Sequence, residues 1–342
     1  MKFNFEATGV GSLPFTDPEK SCSFIFETFP DIPFWPQLPR RSFLENMYVQ
    51  YAEGFPGLLV DEKNRAVSVD TVKAQREIER FYERYLERDI ESFGIARDHA
   101  AGLFPFLETV RSGKARPPFV KGHITGPISF ALSITDENKQ PIIYHPELFE
   151  CAVKLLTLKV VWQIRKLKSV SNNVIIFIDE PHLVSIGSGY INIDANQAKE
   201  RLEELIAAIK AEDVVCGIHC CGNTDWPFLL SRPIDILNFD AYNFIKQFII
   251  FDKDIKKFLA RGGSVAWGIV PTSGDKETKS ALTARLEDAI TGLTKKGIDR
   301  EMISSLVTPS CGVGTIDETT AAGILTMARE VSRGLMNPNR TA

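Results

Sequence analysis

Two short segments, far apart in the chain, carry residue types that bind soft metal ions. One is Gly217-Ile218-His219-Cys220-Cys221-Gly222-Asn223-Thr224, and the other is Thr308-Pro309-Ser310-Cys311-Gly312. His219, Cys221 and Cys311 read as a three-point zinc site. Two thiolates and an imidazole suit zinc, and three protein ligands leave one position for substrate. The apolar run Val214 to Ile218 reads as a buried parallel strand. Residues i and i+2 of a strand share a face, so His219 and Cys221 project together while Cys220 points away. Cys311 follows a second such run, Ile303 to Val307. A bare His-x-Cys is weak on its own, since buried thiols often serve as small apolar packing.

The chemistry of such a donor set is specific. Zinc held by one neutral imidazole and two thiolates carries no net charge. It activates water poorly but can hold a third, substrate thiolate that stays electron-rich. A thiol with a free pKa of about 8.5 is deprotonated on such a metal at neutral pH. The set therefore points to alkylation of a thiol substrate, with zinc generating the nucleophile.

The elements that must position these residues alternate between strand and helix. Strands are predicted at Ala7 to Val10, Phe119 to Ile124, Val174 to Ile178, Val214 to Ile218, Ile234 to Phe239, Ser264 to Ile269 and Ile303 to Val307. Leu58 to Val60 and Ala66 to Val69 flank a polar turn and read as a hairpin. Helices are predicted at Asp17 to Thr28, Arg41 to Glu53, Thr71 to Ser92, Pro146 to Lys168, Ala195 to Ala211, Trp226 to Leu230, Lys279 to Lys296 and Glu318 to Leu335. This alternation predicts an α/β protein, a (β/α)8 TIM barrel with an elaborated N-terminal part from about 13 to 118. No linker cuts the chain, so 1–342 is expected to be one catalytic domain.

In such a barrel, chemistry gathers at the carboxyl ends of the strands. Those ends carry Gly11-Ser12, His123, Asp179-Glu180-Pro181-His182, His219 and Cys221, Asp240, and Cys311. Any one could be a loop residue or a helix cap. Together they form a polar ring at one end, with both halves of the zinc site in it.

Bulk properties are those of a globular chain with ample material for a core. Of 342 residues, 44% are apolar and 25% charged, which is ordinary globular composition. The net charge of −4, with both signs interspersed, offers no basic stripe for nucleic acid. No apolar run is long enough for a membrane span, and the first residues lack a signal-peptide core. Six cysteines, two of them adjacent, do not form a disulfide framework, so a reduced, cytoplasmic location is expected.

The residues also resemble a known family. Gly9-Val10-Gly11-Ser12-Leu13-Pro14, Gly126-Pro127 and Ile178-Asp179-Glu180-Pro181, with His219-x-Cys221 and Cys311-Gly312, are similar to motifs of the zinc-dependent, thiol-alkylating methyltransferases of the uroporphyrinogen-decarboxylase-like superfamily. The closest resemblance is to the C-terminal catalytic half of cobalamin-independent methionine synthase. It implies that His219, Cys221 and Cys311 bind zinc, and that Gly11, Ser12 and Asp179 hold homocysteine. Asp240 matches the place of that family's acidic zinc ligand, where a glutamate is usual. Glu45 is the nearest match to a further substrate-binding glutamate, without a clean motif.

His219-x-Cys221-Gly222-Asn223-Thr224 is more similar still to the metal motif of methylcobamide:thiol methyltransferases. The chain also lacks a counterpart to the N-terminal half of full-length methionine synthases. The combination implies a short core-type methionine synthase, taking methyl from methylcobalamin or a methylated corrinoid protein.

The alternatives are another small thiol such as coenzyme M, methyl-tetrahydrofolate as donor, and, more remotely, a uroporphyrinogen decarboxylase. A sulfonate needs a cation, whereas Asp179 and Glu180 suit the ammonium of an amino acid. A decarboxylase would need a basic cleft and leave the metal motif idle. A non-catalytic zinc-binding or corrinoid-handling protein is separated from these by turnover.

Overall fold

The structure, a computed structural model, describes residues 2–185 and 195–336. Ten strands occur among them: β1 (Asn4–Ala7), β2 (Leu58–Asp61), β3 (Ala66–Val69), β4 (Val120–Thr125), β5 (Thr135–Asp136), β6 (Val174–Asp179), β7 (Val215–Cys220), β8 (Ile236–Phe239), β9 (Ser264–Val270) and β10 (Ser305–Pro309). Seven form one curled sheet in the order β1-β10-β9-β8-β7-β6-β4. Every pairing in it is parallel. The hairpin β2–β3 pairs with β5 in a separate small sheet.

Parallel neighbours need crossovers, and helices supply them. Pro146–Lys168 lies between β4 and β6, Ala195–Ala211 between β6 and β7, and Lys279–Lys295 between β9 and β10. Glu318–Met336 returns to pack on β1 and β10. Helix Pro146–Lys168 has proline in its first turn with Glu147, and Arg165, Lys166 and Lys168 in its last. Both features suit the helix geometry and dipole. Among the described residues no helix is long and apolar enough to cross a membrane.

The two outer strands, β1 and β4, are bridged by an irregular segment, 31–37. On one side Phe119 and Lys121 donate backbone N–H groups to Asp31 and Pro33, and Trp35 donates to Lys121. On the other, Gln37 donates to Gly11, Leu13 donates to Gln37, and the Thr8 hydroxyl donates to Ile32. The alternation 31, 33, 35 is that of a strand edge. Pro30, Pro33 and Pro36 remove N–H donors, so no regular ladder forms. Ile32 joins Phe3, Ile175, Phe177, Ile236, Ala266 and Leu306 in a cluster inside the curl.

Several sequence expectations are corrected. The first strand is Asn4–Ala7 rather than Ala7 to Val10, because the residues that follow turn to meet 31–37. The helix expected over Arg41 to Glu53 is a short turn, Phe43–Glu45, among other turns. Its cap residue, Asn46, is extended, and the Asn46 side chain takes the Tyr48 N–H. The helix from Thr71 ends at Leu86, since Arg88 adopts a left-handed φ of 52°. Helices at Leu103–Arg111, Ala241–Phe248 and Asp252–Ala260 were not anticipated.

Candidate metal centre

β7 and β10 bring the two cysteine segments together at the carboxyl end of the sheet. One ring nitrogen of His219 and the sulfurs of Cys221 and Cys311 all lie within 4.8 Å of one another. Zinc bonds of about 2.0–2.3 Å would set tetrahedral neighbours roughly 3.5–4 Å apart, so the group fits the ion with small adjustment. Cys220 is fully buried in the outer core with Cys216 and Ile218, on the opposite face of β7.

The orientation of His219 is fixed from behind. Its Nδ1 lies 2.6 Å from Asn238 Oδ1 on β8. Asn238 Nδ2 donates to Ala266 O at 2.9 Å and to Thr308 Oγ1 at 2.8 Å. The Ala266 carbonyl can only accept, which decides which end of the amide is oxygen, so Nδ1 must carry the imidazole proton. In the neutral ring Nε2 then keeps its lone pair, and it is buried without a hydrogen-bond partner. This is the tautomer a metal needs, set by a partner behind the ligand. In the sequence Asn238 is one position of the apolar strand Ile234 to Phe239, and its only signal is a polar side chain in such a run.

The two thiols are shifted in opposite directions. A hydrogen bond from Cys311, then the His219 imidazole, pulls the Cys221 pKa down to about 4 against burial. Cys311 is pushed up by the same contact and by burial. Burial alone would lower His219, but Cys221, Asp179 and Asn238 outweigh it and raise it. A thiolate beside an imidazole is a donor set prepared for a cation.

Asp179 ends β6, opposite His219 in register. Its Oδ1 is buried without a hydrogen-bond partner. Burial pushes its pKa up to about 6, while His219 and Lys121 pull it down. Its neighbour Glu180 is fully partnered, accepting from the N–H groups of Ile128 and Ser129 at 2.9 Å each and from Ser129 Oγ at 2.6 Å. His182 stacks on Tyr48 with ring centroids 6.3 Å apart, and its Nδ1 is also buried without a partner.

Ser12 lies against the loop that follows Cys311: its Oγ accepts from Gly314 N at 3.3 Å and its carbonyl from Val313 N at 3.2 Å. Gly11 precedes it and accepts from Gln37 N. Two expected site residues are employed elsewhere. Asp240 caps helix Ala241–Phe248, accepting from Asn243 N at 2.9 Å and Asn243 Nδ2 at 2.7 Å. Among the described residues it is not one of the clustered metal donors. Glu45 is fully buried, accepting from Leu38 N at 3.1 Å and pairing with Arg41 at 2.9 Å.

No protein-family model matches the chain, and no curated protein does. Among solved structures it is similar to a B12-independent methionine synthase from Shewanella sp. W3-18-1 in complex with selenomethionine, at 17% identity and a TM-score of 0.49. That likeness covers 67% of this chain and only 65% of the synthase chain. An endo-β-1,4-mannanase from Thermotoga petrophila matches at 12% identity and a TM-score of 0.27, over 69% of this chain and 74% of that one. Neither likeness bears on the chemistry of this chain.

Proposed function

We propose that the chain is a metal-dependent thiol S-methyltransferase that converts homocysteine to methionine on a closed (β/α)8 barrel whose eighth stave is 31–37. The observation that carries this reading is the juxtaposition of the His219, Cys221 and Cys311 donors with the unpartnered carboxylate of Asp179. Zinc bound by those three residues would supply an open coordination position at which a substrate thiol is held deprotonated. Asn238, holding Nδ1, leaves the His219 Nε2 lone pair free to bind that ion. Asp179 offers a buried carboxylate oxygen to the substrate ammonium, and Ser12 lies beside the Cys311 loop.

The methyl donor in this reading is methylcobalamin or a methylated corrinoid protein docking over the carboxyl end of the barrel. A methyl group on a folate nitrogen leaves only if an acid protonates the amine, whereas a methyl on Co(III) leaves as a Co(I) corrin without one. His123 and His182, the histidines at this face that do not belong to the donor set, are held toward the neutral form by burial. Neither imidazole therefore carries the charge of an acid ready to protonate a leaving amine.

The test is methionine formation by the zinc-loaded protein from homocysteine, with methylcobalamin or methyl-tetrahydrofolate as donor. Turnover is expected with the corrinoid. Folate-dependent turnover without any corrinoid overturns the donor assignment, and no methionine from either overturns the function. Asp179→Asn should raise the homocysteine concentration required about ten-fold or more, since a charge-assisted contact contributes roughly 1.5–3 kcal/mol. Its metal content should stay at wild-type level.

A further inference from the structure

We propose that His123 is a second polar anchor at this face, donating its ring N–H to the carboxylate of the bound amino-acid thiol. The inference rests on the homocysteine reading and adds to it the residue that recognises the substrate's acid group.

Three other histidines each have a partnered ring nitrogen, and in His182 only Nδ1 is buried without a partner. His99 pairs with Asp98 at 2.9 Å, His145 with Asp136 at 3.0 Å, and His219 with Asn238 at 2.6 Å. His123 is 1% exposed, yet both of its ring nitrogens lack a hydrogen-bond partner. Buried polar atoms of a native protein nearly always find partners, and an exception calls for a ligand or a function.

Everything about His123 except those nitrogens is fixed. Its N–H donates to Gln163 Oε1 at 3.2 Å, and its carbonyl accepts from Gln163 Nε2 at 2.9 Å and from the Tyr51 hydroxyl at 2.7 Å. Its ring stacks on Trp35 with centroids 4.1 Å apart and planes at 23°. Trp35 is itself pinned, its indole N–H donating to Gln163 at 2.9 Å. The opposite wall is Gly11, where an added methyl group would sit 2.8 Å from His123 Nδ1. A side chain held this firmly, with an unused donor and acceptor, is preorganised for a ligand.

Its position places it at the same face. Along β4, a side chain at Gly122 would strike Gln163 and Leu167 of the outer helix, so Lys121 and His123 face inward. The wall formed by Gly11 continues into Ser12, which touches the loop after Cys311. β4 and β6 are neighbours, with His123 opposite Phe177 and Thr125 opposite Asp179. Strand spacing then puts the backbones of His123 and Asp179 about 8 Å apart. One α-amino acid head group spans that gap, its ammonium on Asp179 and its carboxylate on His123. Burial keeps His123 neutral, which leaves one N–H to donate.

The experiment compares homocysteine with 3-aminopropane-1-thiol, the same thiol without its carboxylate, by calorimetric binding to the full zinc-loaded chain. His123→Met should weaken homocysteine binding about ten-fold or more, leave the decarboxylated thiol unchanged, and keep metal content and melting temperature at or above wild type. His123→Gln, which retains a donor, should recover part of the loss. Equal homocysteine affinity in wild type and His123→Met overturns the assignment. An equal loss for both thiols, or a marked fall in melting temperature in both variants, also overturns it in favour of a packing role. Failure of the wild type to bind homocysteine at all instead overturns the underlying reading, and this inference with it.

Discussion

Followed along the same strands, the inner face of the curled sheet changes character within two residues. At the lower level, Ile32, Ile175, Ile236, Ala266 and Leu306 pack with Phe3 and Phe177. One inward position further, β8 presents Asn238 and β10 presents Thr308, polar but hydrogen-bonded to each other, with Asn238 also bonded to Ala266 and His219. At the mouth stand His123, Asp179 and His219, each with a buried polar atom that has no partner. The lower level is built by packing alone, whereas the mouth gives up hydrogen bonds that folding would otherwise have used. Native proteins concentrate such exceptions where something else is bound. The comparison makes a sharp claim: variants at the mouth should change ligand binding more than stability.

The largest effect should come from the metal donors. Removing one of three ligands from a thiolate site lowers both metal affinity and substrate-thiol activation. Cys221→Ser and Cys311→Ser should therefore each lose their zinc during dialysis, read by elemental analysis, and lose methionine formation with it. Cys220→Ser, on the outer face of the same strand, should keep both. Full zinc content in Cys311→Ser would remove β10 from the site and break the comparison at its strongest point.

How much of this was legible in the sequence follows the same physics. From Val120 onward the strands are short apolar runs between polar turns, and the expected boundaries at Pro146, Lys168, Ala195, Ala211 and Ser264 coincide with the observed ones. Before that point the helix ending at Thr28 and the hairpin at 58–69 are legible, but the segments between them are not. Segment 31–37 carries three prolines at or beside it and pairs largely through carbonyls, so it reads as a loop although it bridges both edges of the sheet. Donor residues were visible because their types are rare and their spacing regular. Asn238 was not, because its role depends on residues of three other strands that only the fold brings within 3 Å. His123 was visible as a polar residue at a strand end, but its lack of partners is a property of packing.

A smaller effect should follow from cutting the link between the two levels. Asn238→Leu keeps the volume but removes the acceptor that fixes the His219 tautomer. Loss of a partner behind a metal ligand typically weakens the metal by about 10–100-fold. Competition with a coloured chelator should read that change. Asn238→Asp still accepts from Nδ1 and should stay nearer to wild type. Identical zinc affinity in wild type and Asn238→Leu would mean that the mouth orders its own ligands without help from below.

The smallest expected effect concerns Glu180, which adjoins Asp179 in sequence but faces three donors rather than none. Burial pushes its pKa from the ordinary 4.5 up to about 7, with the Ser129 and Ile128 hydrogen bonds acting the other way. A carboxyl raised in the folded state binds its proton more tightly there than in the unfolded chain. Its contribution to stability is present below about pH 4.5 and is lost as pH rises through about 7. Burial moves Glu45 in the same direction, also up to about 7, against Leu38 and Arg41. Glu180→Gln should therefore flatten, without abolishing, the decline of unfolding free energy over that window, measured by urea denaturation at a series of pH values. Zinc content and homocysteine binding should not move, because this carboxylate faces Ile128 and Ser129 rather than the metal donors. An unaltered slope would show that Glu180 is ionised in the folded state throughout the window, with its three donors outweighing burial. A loss of homocysteine binding would extend the mouth outward to include it.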